Sequence, residues 1–74
     1  MKKDKIEFAI ASDVNSRDGI GLEVWVNNEI VLEIFRDDTD KTRIVTSFKK
    51  DFSLELMEQS IQEFKNRINW GYLK

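Results

Sequence analysis

Few side chains in this chain could do chemistry, and most of those are carboxylates. Glu23 and Glu33 stand on the two arms of a candidate hairpin, where a shared face would set them together as an acid/base couple. A carboxylate pair on an open sheet face stays solvated, and nothing in the sequence builds a concave site around it. There is no histidine and no cysteine, which removes the commonest general base and the thiolate metal ligands. The residues read as non-enzymatic, with no catalytic group and no cofactor site.

The aspartates do not read as a metal site either. Asp37, Asp38 and Asp40 cluster in a turn, but a calcium loop needs six to eight oxygens, a distal bidentate carboxylate and a fixed glycine. Asp13, Asn15, Asp18 and Gly19 are similar to the start of an EF-hand loop. The glycine comes one residue late, however, and Val24 stands near the place of the closing glutamate. Turn chemistry explains both clusters.

Lys41, Arg43, Lys49 and Lys50 flank a candidate strand, and Trp25 and Phe35 could stack bases. An aromatic sheet face with basic edges is one way to hold a single strand of nucleic acid. Glu23 and Glu33 among those aromatics would repel phosphate, and the net charge is −2. Both weigh against a polyanion partner.

The elements that position these residues are legible from periodicity. The sequence predicts an α+β fold, a three- to four-stranded antiparallel meander with one C-terminal amphipathic helix packed on one face. The strands fall at about 6–11, 20–27, 30–36 and 42–48 and the helix at about 54–69, in one domain spanning 1–74. Ser12 to Gly19 reads as a loop. Ile20, Leu22, Val24, Val26, Ile30, Leu32 and Ile34 form an aliphatic stripe. A strict two-residue turn at Asn27-Asn28 would split that stripe, because a one-residue slip flips every side chain. One extra residue, at or just after Asn28, keeps it whole. Pairing Ile34 with Ile44 then places Val45 beside Phe35. Leu54, Met57, Ile61, Phe64 and Ile68 give the helix stripe, Ser53 is its N-cap with Phe52 and Met57 as a hydrophobic staple, and Gly71 is its stop.

A second face is then left over. Trp25, Val31, Phe35 and Val45, interrupted by Glu23, Glu33 and Arg43, make an apolar patch ringed by charge, the usual look of an interface. Trp70 and Tyr72, beyond the helix, either join this surface or fold back with Leu73 to cover it. The chain reads as a protein-interaction domain that self-associates through that face, as a homodimer. An acidic binder of a foreign protein, of the immunity or antitoxin kind, is the alternative, and a single-stranded nucleic-acid binder is a weaker third.

The chain has 74 residues, 41% of them apolar and 35% charged, in the range of a folded soluble domain. A chain this small buries only roughly 60% of its unfolded surface, so self-association would add useful stability. No apolar run approaches the roughly 18 residues a membrane helix needs. The basic start lacks an apolar core for a signal peptide, so the expected location is cytoplasmic.

IASD at Ile10–Asp13, LEVWVNNE at Leu22–Glu29 and the closing amphipathic helix together resemble a group of small bacterial conserved hypothetical proteins. That group has an IASD start and an EIYFNG hairpin; Asn28 stands where its pattern has glycine. The group has no assigned activity, so the resemblance implies a fold but no site residues.

Overall fold

The computed structural model describes residues 3–12 and 18–73. Four strands, β1 (Ile6–Ala11), β2 (Gly19–Val26), β3 (Glu29–Asp37) and β4 (Thr42–Ser47), precede one helix, α1 (Leu54–Arg67). The strands form one antiparallel sheet in the order β1-β2-β3-β4, so the fold is the α+β meander that the periodicity predicts. Most of the loop from Ser12 to Gly19, including Asp13 and Asn15, lies outside the described residues. No helix among the described residues is long and apolar enough to cross a membrane.

The β2–β3 hairpin contains the extra residue, but not at its turn. Asn27 and Asn28 both take positive φ, 52° and 69°, as a two-residue type I′ turn requires. Val26 pairs with Glu29 and Trp25 with Ile30, and the register then shifts so that Val24 pairs with Leu32. Val31 is the bulged residue. A bulge sets its two residues on one side of the sheet, and Val31 joins Leu32 in the core, 6% exposed. Ile30 goes to the opposite face beside Trp25. The two residues therefore exchange the faces that simple alternation assigns them. Asn27 also ties down the start of β1: its amide donates to the Lys5 carbonyl at 2.8 Å and its side-chain oxygen accepts from the Lys5 amide at 2.9 Å.

The β3–β4 register differs from expectation by one residue. Ile34 pairs with Val45, and Phe35 with Ile44. The cause is the turn. Asp37 pairs with Thr42, and Lys41 takes φ 55°, which draws four residues into the connection. Asp37 holds that turn by accepting from the amides of Thr39 (3.0 Å) and Asp40 (2.9 Å). One added residue flips the strand, so Val45 and Arg43 lie on the helix side of the sheet rather than beside Phe35.

Helix α1 begins as its sequence requires. Ser53 is extended, its hydroxyl accepts from the Leu56 amide at 3.0 Å, and Glu55 stands in the first turn. Phe52 and Met57 both pack on the core. The helix ends earlier than Gly71, because Ile68 turns extended while its N–H still donates to the Phe64 carbonyl. Ile68 is buried, and the chain leaves the helix there to run back over the sheet. The face turned to the core is also rotated from the predicted stripe. Leu56, Met57, Ser60 and Phe64 point inward, and Ile61 and Leu54 lie on a flank. Ser60, fully buried, donates its hydroxyl to the Leu56 carbonyl at 2.7 Å, so it needs no partner on the sheet.

The bulge makes a test. Val31→Asp buries an uncompensated charge and is expected to cost more than about 3 kcal/mol, whereas Ile30→Asp on the half-buried opposite face is expected to cost about 1 kcal/mol. Urea denaturation of both variants measures it; the reverse order would return the extra residue to the turn.

Candidate functional site

The site starts from two arginines that strand pairing forces together. Arg36 on β3 is directly opposite Arg43 on β4, and like charges in that position repel. Each is answered separately. The Arg36 guanidinium forks onto Asp38, with Nε donating to Oδ1 at 2.8 Å and Nη2 to Oδ2 at 3.2 Å, both side chains buried. Its Nη1 donates to the Asn69 carbonyl at 2.7 Å. Arg43 donates through Nε and Nη2 to the Trp70 carbonyl. Its guanidinium lies 3.8 Å from the Trp70 ring centre and 4.5 Å from that of Tyr72.

These bonds place the segment after α1 as a strap over one end of the sheet. The Leu73 amide closes it by donating to Asp38 Oδ1 at 3.3 Å. Trp70 meets Phe64 edge-to-face at 6.0 Å, and Lys65 lies 5.3 Å from its ring centre. Trp70 and Tyr72 therefore belong to the helix side and leave the second face uncovered by the strap.

A groove opens between the strap, α1 and β4. It encloses about 170 Å³ lined by Ile34, Arg43, Val45, Ile61, Phe64 and Trp70. Its rim is left in solvent: Val45 is 49% and Trp70 48% exposed. Leu54, two turns before Ile61 on the same flank, is also exposed, as is Phe48 just after β4.

The nine residues singled out from sequence divide three ways. Arg43, Val45, Trp70 and Tyr72 gather at or beside the groove, and Val31 is in the core. Glu23, Trp25, Glu33 and Phe35 share the second face. There Glu23 and Glu33 are cross-strand partners, and the Trp25 indole N–H donates to Glu23 Oε1 at 3.2 Å. Glu33 is buried rather than solvated. Phe35, 1% exposed, lies across Gly19 and Gly21. A Cβ at Gly21 would sit 3.1 Å from the Phe35 ring, and one at Gly19 would run into the Arg36 carbonyl oxygen, so side chains are excluded where the ring crosses β2. The second face thus buries the centre of its aromatic stripe and presents Ile44 and half-buried Trp25.

Sequence reasoning missed Ile61 as a groove residue because it placed it in the core stripe, and placed exposed Leu54 there as well. The signal for the rotation is Ser60, a small residue centred between Leu56 and Phe64 on a closely packed face. The ion pair within Arg36-Asp37-Asp38 was also missed. Neither Asp37 nor Asp38 is a spare carboxylate, and among the described residues no group of three or more acidic side chains is arranged to hold a metal ion.

Comparison of the chain with known protein families, with curated proteins and with solved structures finds no match.

The buried pair is expected to behave as a unit. Asp38→Ala leaves Arg36 buried and uncompensated, at a cost of about 3–5 kcal/mol, while the double variant Arg36→Met/Asp38→Leu loses less than the single one. Denaturant curves of the two single variants and the double variant measure this, and additive losses would refute it. Arg43→Ala is expected to cost about 1 kcal/mol and to red-shift tryptophan emission as Trp70 loses its stacked partner. An unchanged spectrum would place Arg43 off the ring.

Proposed function

We propose that this chain is a cytoplasmic protein-interaction domain with no catalytic step, and that its contact surface is the groove between α1 and β4. One observation carries the reading: Val45, Ile61 and Trp70 line one cavity and are each more than a third exposed. A small domain that leaves a tryptophan and two aliphatic side chains together in water has a use for them. Arg43 beside them supplies the guanidinium that interfaces favour.

Self-association through the second face is the second reading. It draws support from half-buried Trp25 next to Ile30 and from exposed Ile44. Burial of Phe35 removes the largest side chain that face was expected to offer.

Selection of a random-peptide library on the immobilised domain, followed by amide-shift mapping of the best binder, tests both. Shifts are expected at Val45, Ile61 and Trp70, with affinity falling at least about tenfold in Ile61→Glu. Shifts centred on Trp25 and Ile44, or a dimer in sedimentation that Trp25→Ala breaks and Ile61→Glu does not, would move the function to the second face.

A further inference from the structure

We propose that β4 accepts an extended segment of a partner protein as a fifth strand, apolar where it crosses the groove and acidic on either side. This rests on the groove being the contact surface and names the chemistry of what enters it.

Strand direction settles which backbone groups are on offer. The Phe48 amide donates inward to the Val31 carbonyl at 2.7 Å, and in an antiparallel pair inward and outward residues alternate. Thr42, Ile44 and Thr46 therefore turn their amides and carbonyls to β3. Arg43, Val45 and Ser47 turn theirs to the open edge, since among the described residues β4 has one neighbour in the sheet. A strand added there makes main-chain bonds to these three residues and sets one side chain beside Val45, over the cavity. The other edge is different. By the same alternation the Phe8 carbonyl faces outward on β1, and Arg67 donates to it at 3.4 Å from the end of α1.

Charge selects the occupant. Lys41, Arg43, Lys49 and Lys50 are the only charged residues from 41 to 50, in a chain whose net charge is −2. Arg43 shares the groove side with Val45 and Ser47, and Lys41 and Lys49 stand just beyond the two ends of β4. An incoming strand with acidic residues two and four places from the one beside Val45 would meet Arg43 and the lysines. A second copy fits poorly, because antiparallel self-pairing centred on Val45 brings the cations at the two ends of β4, Lys41 and Lys49, towards one another, and edge lysines discourage such pairing. Lys49 already reaches Glu29 at 3.3 Å, but both side chains are largely exposed and screened. Single-stranded nucleic acid fits the charge but fits the rings less well, because Arg43 already covers one face of Trp70 and one of Tyr72.

The probe is a capped nonapeptide with phenylalanine at its centre, glutamate two and four places to each side, and threonine between. It reads the same in both directions, so strand polarity does not matter. On titration, amide hydrogen exchange at Arg43, Val45 and Ser47 is expected to slow at least about tenfold, with little change at Thr42, Ile44 and Thr46. Replacing the glutamates by lysine is expected to weaken binding at least about tenfold, and added salt to weaken it as well. A peptide N-methylated at alternate amides, in either phase, is expected not to bind in the phase that blocks the edge. Ser47→Pro removes one outward donor and no bond to β3; it should keep the circular dichroism of the parent chain and lose the peptide.

Equal binding of both N-methylated peptides, with shifts still in the groove, would overturn strand addition while leaving the groove as the contact surface. Failure of this peptide and of every library peptide to shift groove residues would overturn both. Protection of the β4 amides in a species of twice the mass without peptide would make the occupant a second copy. Tighter binding of an oligothymidylate than of the peptide would make it a nucleic acid. Either result would sink the proposal.

Discussion

The contact on which the open end of this fold depends is the buried fork of Arg36 onto Asp38. Antiparallel pairing sets Arg36 against Arg43, and two guanidiniums cannot share that position without separate counter-charges. Asp38 takes one of them, and the carbonyls of Asn69 and Trp70 are drawn in to serve both. The Asn69 carbonyl lies just beyond the C-terminal end of α1, where the helix dipole is negative and favours a cation. The strap is therefore placed by electrostatics more than by apolar burial; Trp70 stays half exposed and Leu73 largely exposed even though four hydrogen bonds tie the strap at three points. Asp38 serves as both the counter-charge of Arg36 and the acceptor of the strap's Leu73 amide, which couples the β3–β4 turn to the chain's last described residues.

Two single-residue insertions decide what every face of the sheet contains. The bulge at Val31 exchanges Ile30 and Val31 between faces, and the fourth turn residue, Lys41, moves Val45 and Arg43 to the helix side. Each is a local backbone choice with consequences as large as a change of sequence along the strand. The bulge keeps Leu22, Val24, Leu32 and Ile34 on one side while letting Asn27 and Asn28 make the tightest turn that positive φ allows. Lys41 moves an arginine next to Arg36, and so creates the repulsion that the strap resolves.

That is why the elements were legible in the sequence and the surface was only partly so. Strand and helix periodicities depend on residue type, so β1 to β4 and α1 could be read within one or two residues of their bounds, and the need for an extra residue followed from the stripe itself. Its position did not, because alternation is equally satisfied by a bulge anywhere between Asn28 and Leu32. The β4 register depended on whether Lys41 took positive φ, for which lysine gives no signal. The helix stripe was drawn through the largest side chains, when close packing favoured Ser60 at the centre. Arg43 and Val45 were identified as surface residues and assigned to the wrong side of the sheet through one misplaced register, and Trp70 and Tyr72 follow Arg43 to the helix side. Arg36 and Asp38 were passed over because charged neighbours in a turn ordinarily stay in water.

The groove itself follows from widths. Strands lie about 4.8 Å apart and a helix is about 10–12 Å across, so one helix covers little more than two strands of four. Here α1 packs on β2 and β3, where Leu22, Val24, Leu32 and Ile34 form the densest core. One margin of the helix side receives Arg67, whose guanidinium lies 5.9 Å from the Phe8 ring centre and whose side chain is fixed by Glu63 at 2.7 Å. The other margin receives no such cover. Val45 is left beside the flank of Ile61, and the strap closes only the far end. The side chains that line this space are apolar, Val45, Ile61 and Trp70 among them, and Arg43 stands beside them on the outer strand, so the margin stays a groove with an apolar wall and a cationic edge.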